Sequence, residues 1–72
     1  MKKPDYRVGD KVYYYNKYSN EILNGEIVSM RESRLNWDYN LRYQLYVDLL
    51  YYCWIEEDYI SKDKKKLNKF LK

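Results

Sequence analysis

Between Leu41 and Leu49 the chain alternates without a break, with Leu41, Tyr43, Leu45, Val47 and Leu49 set against Arg42, Gln44, Tyr46 and Asp48. Successive side chains of an extended strand point to opposite faces, so this spacing predicts a strand with one apolar and one wet face. Such a strand belongs in an antiparallel sheet, because parallel sheets are covered on both sides. Before residue 61 no segment carries a competing helical period.

The other elements follow from turn chemistry and branched or aromatic runs. Val8 to Tyr15 reads as a first strand with Val8, Val12 and Tyr14 on one face and a bend at Gly9-Asp10. Asn16 to Asn20 is a polar turn, and Glu21 to Met30 a second strand. Within it Asn24-Gly25 admits either a hairpin turn or a bulge that would put Ile22 and Ile27 on one face. The Asn16–Asn20 turn already closes a hairpin, which favours the bulge. Arg31 to Asn40 is of mixed polarity and reads as a long hairpin loop. Tyr51 to Ile55 is a fourth strand, Glu56-Glu57-Asp58 an acidic turn and Tyr59-Ile60 a short closing strand. Ser61 then caps a helix in which Leu67, Phe70 and Leu71, at i, i+3 and i+4, form a narrow stripe among lysines.

A chain of 72 residues has room for one domain and a thin core. Folds of this size are usually stapled by disulfides or zinc. Here Cys53 is the single cysteine and histidine is absent, so neither staple is expected. Eleven tyrosines, two tryptophans and one phenylalanine stand in their place. Such rings bury large areas with a wet polar tip, and a small domain must leave some of them outside, available to a ligand or to a second copy.

The series Val8-Gly9-Asp10-Lys11-Val12-Tyr13, then Gly25-Glu26-Ile27-Val28, Tyr46-Val47-Asp48 and Trp54-Ile55, resembles the strands of Tudor-like and KOW-like SH3-fold domains over about residues 6–60. The resemblance implies a mainly β chain, a small SH3-like barrel of four to five antiparallel strands (residues 1–60), followed by a short basic C-terminal α-helix (residues 61–72). It implies binding of RNA, DNA, peptides or methylated side chains without naming which. Tyr15, Tyr18, Tyr51 and Tyr52 fall roughly where the aromatic cage of Tudor domains would come.

Catalysis is not expected. Without histidine the usual neutral-pH base is missing, and with only Gly9 and Gly25 no phosphate-cradling glycine loop exists. Cys53 and Trp54 read as strand residues turned to the core. The acidic turn reads as solvated rather than as a metal site, since adjacent turn residues diverge. No cofactor is expected.

Two groups of residues point to binding. The first is aromatic: Tyr13, Tyr15 and Tyr18 near the first hairpin, with Trp37 and Tyr39 in the long loop, as rings that could stack bases or meet a protein partner. The second is basic. Lys62, Lys64, Lys65, Lys66, Lys69 and Lys72 stand against Asp63 alone, whereas residues 1–60 hold eight basic and ten acidic side chains. The tail is therefore +5 and the rest −2, so all of the excess positive charge behind the net +3 sits in the tail, as in a phosphate-contacting element. Arg31 and Arg34 would add contacts. DNA or RNA is the expected partner, with a host protein or a second copy as alternatives. Lysine, tyrosine, asparagine and isoleucine make up 31 of the 72 residues. Their AT-rich codons suggest a bacterial, phage or mobile-element source. The lone thiol, the absence of an apolar leader after Met1-Lys2-Lys3 and the narrow helix stripe suggest a cytoplasmic protein that leaves membranes alone.

Overall fold

The computed structural model describes residues 3–72, and of Leu45 and Tyr46 the backbone only. Five antiparallel strands form one sheet: β1 (Lys11–Asn16), β2 (Glu21–Glu32), β3 (Trp37–Tyr46), β4 (Leu49–Glu56) and β5 (Ile60–Ser61), in the spatial order β4-β3-β2-β1-β5. A single 3-10 turn, Glu57–Tyr59, joins β4 to β5, and a 3-10 helix, Lys64–Phe70, follows. No hydrogen bonds join the two edge strands, β4 and β5. The sheet nonetheless curls on itself. The Tyr14 ring of β1 meets the Tyr43 ring of β3 at 5.6 Å. The core inside the curl is Val12, Tyr14, Ile27, Tyr39, Leu41 and Ile60, flanked by Tyr6, Leu23, Met30, Trp37, Tyr43, Cys53 and Ile55.

The first strand starts later than its apolar spacing implies. Arg7 to Asp10 is a tight turn, closed by Asp10 N–H donating to Arg7 O at 3.0 Å and Arg7 N–H to the Asp10 carboxylate at 3.0 Å. Gly9 sits at φ +98°, a conformation that L side chains rarely adopt. Its N–H donates to Ile27 O at 2.8 Å, while Ile27 N–H donates to Asp10 O at 2.9 Å. The turn is thus sewn to β2, and Val8 is left at its tip, exposed rather than in the core.

At Asn24-Gly25 neither a turn nor a bulge forms. Asn24 pairs with Tyr13 and Gly25 with Val12 in unbroken register. Gly25 is there for a different reason: a Cβ at this position would come within 3.0 Å of the Arg42 carbonyl oxygen on β3. The register slips further along, between Ile27 and Ser29. Ile22, paired with Tyr15, therefore shares the face opposite to Ile27, which pairs with Leu41.

The expected long loop is mostly strand. Arg31 pairs with Asp38 and Glu32 with Trp37, and only Ser33–Asn36 turn, held by Ser33 N–H to Asn36 O at 2.9 Å. The two-residue period begins at Trp37, with Trp37, Tyr39, Leu41 and Tyr43 inward and Asp38 outward. It stops short of Leu49, because the chain reverses at Val47-Asp48, where Val47 is 94 % exposed. The expected burial of Leu45 falls outside the described side chains. Trp54 also departs from expectation: it lies one residue out of phase with Cys53 and Ile55 and is 40 % exposed.

The terminal helix is 3-10, not α. Asp63 rather than Ser61 caps it, its carboxylate accepting from Lys65 N–H at 3.0 Å, while Ser61 Oγ accepts from Asp63 N–H at 2.9 Å. Three residues per turn align Leu67 with Phe70 and leave Leu71 out of line. Leu67 is accordingly 2 % exposed and Leu71 43 %. Leu67→Ala should lower the free energy of unfolding by about 2–4 kcal/mol, whereas Lys66→Ala should change it by less than about 0.5 kcal/mol. Urea titrations of both variants check this, and equal midpoints would mean that the helix does not belong to the folded body.

Candidate functional site

Two buried tyrosines organise the interior in opposite ways. Tyr39, expected on an exposed loop, is completely buried. Its hydroxyl donates to Glu57 Oε2 at 2.8 Å and accepts from the N–H groups of Asp5 at 3.1 Å and Tyr6 at 3.3 Å. Burial, then the Glu57 carboxylate, push its pKa well above the ordinary value near 10. Tyr14 is also fully buried, and its hydroxyl faces Cys53 and Tyr43 without a hydrogen bond of ordinary geometry. Burial, reinforced by Cys53 and Tyr43, raises its pKa as well.

The three carboxylates of the acidic turn diverge: Glu57 points into the core, while Glu56 and Asp58 are exposed. Among the described residues no group of three or more Cys, Asp or Glu converges as metal ligands would. Burial pushes the Cys53 thiol up, away from the thiolate a nucleophile needs. Among the described residues no helix is long and apolar enough to cross a membrane.

A groove of about 350 Å³ lies between the edge strand β4 and the β1–β2 turn. Trp54 and Glu56 of β4, Tyr15, Lys17 and Tyr18 of β1 and its turn, and Tyr59 line it, with Tyr43 and Cys53 also reaching it. The curl of the sheet creates it by carrying β4 round toward β1 without hydrogen-bonding the two sides together. Tyr18 is 92 % exposed. Its N–H donates to Asn16 Oδ1 at 2.9 Å, a local bond that shapes the turn.

The basic tail is clamped beside this groove. Phe70 stacks on Tyr15 at 5.5 Å and packs on Tyr59 at 4.8 Å, and Leu67 is buried. Asn20, at φ +53°, completes the clamp. Its side chain accepts from Lys72 N–H at 3.1 Å and from the Tyr15 hydroxyl at 3.1 Å, and donates to Lys72 O at 3.3 Å. Lys62, Lys64, Lys65, Lys66, Lys69 and Lys72 are all exposed. Lys62 pairs with Asp10 at 3.5 Å, and Lys69 lies 5.2 Å from the centre of the Phe70 ring.

The remaining expected residues scatter. Tyr15 lines the groove but is 6 % exposed, a wall rather than a free ring. Trp37 is half-buried against the core. Arg31 binds Asp38 at 3.4 Å and lies 4.0 Å over the Trp54 ring, so it touches the groove only through Trp54. Arg34 is exposed at the β2–β3 turn and does not line the groove. Tyr51 stacks on Tyr43 and Tyr52 is exposed; neither lines the groove with Tyr15 and Tyr18. Trp54, Glu56, Tyr59, Phe70 and Asn20 are the participants that strand and turn patterns do not single out. Comparison with protein-family models, curated proteins and solved structures finds no match.

The two buried hydroxyls should respond to deletion with opposite signs. Tyr39→Phe strips Glu57 of a donor and should cost about 1–3 kcal/mol. Tyr14→Phe removes an unpartnered buried hydroxyl and should leave stability unchanged or raise it by up to about 1 kcal/mol. Both folded-state pKa values lie above the unfolded value near 10, because the fold favours the neutral phenol. Their contribution is therefore intact below about pH 10 and lost as the pH rises beyond it. Denaturation midpoints of the wild type should fall above about pH 10 and those of Tyr14→Phe less steeply; identical alkaline slopes would overturn this assignment.

Proposed function

We propose that this chain is a non-catalytic nucleic-acid-binding module built as an SH3-like barrel. A four-strand meander whose fifth strand returns to β1, with the sheet curled so that β1 rings meet β3, supports the barrel reading. The observation that carries the function is the clamped tail. Lysines on a flexible tail would lose entropy on binding, whereas Leu67, Phe70 and Asn20 hold this one against the body. Among the described residues Lys64, Lys65, Lys66 and Lys69 form no ion pair, so their charges are available to phosphate. Lysines supply charge without reading base edges, so these contacts do not depend on sequence. A reducing, cytoplasmic setting suits the unpaired Cys53.

A second reading has its own support. Val47, Leu49, Leu50, Tyr51, Tyr52 and Trp54 are all exposed on the edge strand β4 or its preceding turn, and no charge interrupts Leu49 to Ile55. An uncharged edge of this kind can pair with another chain. It fits an adaptor or inhibitor from a phage or mobile element that binds a host protein, or a homodimer. A single stoichiometric partner recovered after nuclease treatment would favour it.

Tail deletion is a poor test, since it removes Leu67 and part of β5. Neutralising Lys64, Lys65, Lys66 and Lys69 together to Gln changes only exposed side chains and should leave the fold intact. If these four contact phosphate on a single strand, they contribute a slope of about −3 to log K against log salt, or about 50-fold in affinity between 50 and 200 mM. Anisotropy titrations of a labelled oligonucleotide should show that slope contribution disappear in the variant. A wild-type affinity insensitive to salt would remove the tail from the interface.

A further inference from the structure

We propose that the groove beside β4 receives an unpaired base, so that the module selects single-stranded over duplex nucleic acid. This rests on the nucleic-acid reading above and adds what the groove does. At about 350 Å³ it lies at the lower end of the range for small-ligand sites, the size of a nucleoside rather than of a helix. Its walls carry three aromatic rings of the kind that stack bases: Tyr18 from the β1–β2 turn, Trp54 from β4, whose ring Arg31 also approaches, and Tyr59 from the 3-10 turn, which packs on Phe70. Tyr18 is the telling residue. It is 92 % exposed, with the Lys17 ammonium 5.6 Å from its ring centre, so burial gives no reason for a ring there.

The charges give the groove a direction. Lys17 lines the groove on the turn side, and the tail is held beside it by Phe70 on Tyr15, with Lys69 over the Phe70 ring, so cations flank the groove where the phosphates next to an inserted base would lie. The same lysine opposes a cationic ligand, which an aromatic pocket could otherwise hold. Glu56 on the β4 side repels phosphate and, as an ionised carboxylate, only accepts hydrogen bonds. It therefore suits the exocyclic amino group of a base. In a duplex that amino group is paired and both faces of the base are stacked, so neither the ring faces nor Glu56 can be satisfied.

The test compares one sequence as a labelled 12-mer single strand, in DNA and RNA form, with the corresponding duplex at fixed low salt. Single strands should bind at least about tenfold more tightly than duplex. Tyr18→Ala should weaken single-strand binding by about 5- to 150-fold, the range for losing one stacked base, while leaving the salt slope and duplex affinity unchanged. Because Tyr18 lies in solvent the substitution should leave folding intact, which circular dichroism checks independently. Equal affinity for both forms, or a Tyr18→Ala variant within about twofold of wild type, would overturn the groove assignment and leave the lysine interface standing. No binding to either form would overturn both.

Discussion

The Tyr39 hydroxyl is the point at which separate parts of the chain are tied together. It donates to Glu57, in the turn that carries the chain from β4 to β5, and accepts from the backbone of Asp5 and Tyr6. The Tyr6 ring packs edge-on against Tyr39 at 5.4 Å, and the Tyr6 hydroxyl bonds to Ile60 O at 3.0 Å. With Glu57 held inward, the chain turns immediately into Ile60 and Ser61, which pair with Tyr14 and Tyr13. The return of β5 to β1 thus depends on a buried carboxylate that a phenol can satisfy. In a chain with one cysteine and no histidine, this polar network fastens separate segments of the fold to one another.

Once β5 is seated, the tail has little freedom. Leu67 is buried, Phe70 lies between Tyr15 and Tyr59, and Asn20 bonds the backbone of Lys72. This small aromatic cluster sits apart from the main core and uses the other face of β1. It turns a lysine run into a fixed array and places that array next to an open groove. The groove and the tail are therefore consequences of one arrangement: a sheet that curls far enough to bring β4 toward β1, yet has no strand to hydrogen-bond into the gap.

Sheet composition and strand alternation were legible residue by residue, because a period of two reports which face a side chain takes. Tyr51 to Ile55 lies in a strand, and Val12 and Tyr14 share the face that period gives them, but Trp54, read as core, is turned outward. Limits of elements were less legible. The β3 pattern extends back to Trp37 because Asp38 and Asn40 are its outward residues, although their polarity reads as loop. Val47 and Leu49 continue the apolar alternation in sequence while the backbone has already reversed. Gly25 has the signature of a turn, and its need arises from a neighbouring strand that a local reading cannot see.

The mainly β class, the lack of histidine and of a second cysteine, and the concentration of positive charge in the last twelve residues are written in the chain itself. These follow from composition and from periodicities that act over a few neighbours. The tertiary structure decided which aromatic rings are available. Tyr15 and Tyr39 are taken into the interior, whereas Trp54 is turned to the groove and Tyr18 is left in solvent. It also decided that the tail packs beside the groove, through Phe70 on Tyr15 and the Lys72 backbone on Asn20. Those outcomes depend on contacts between residues about fifty positions apart, such as Asn20 with Lys72, and no local pattern encodes them.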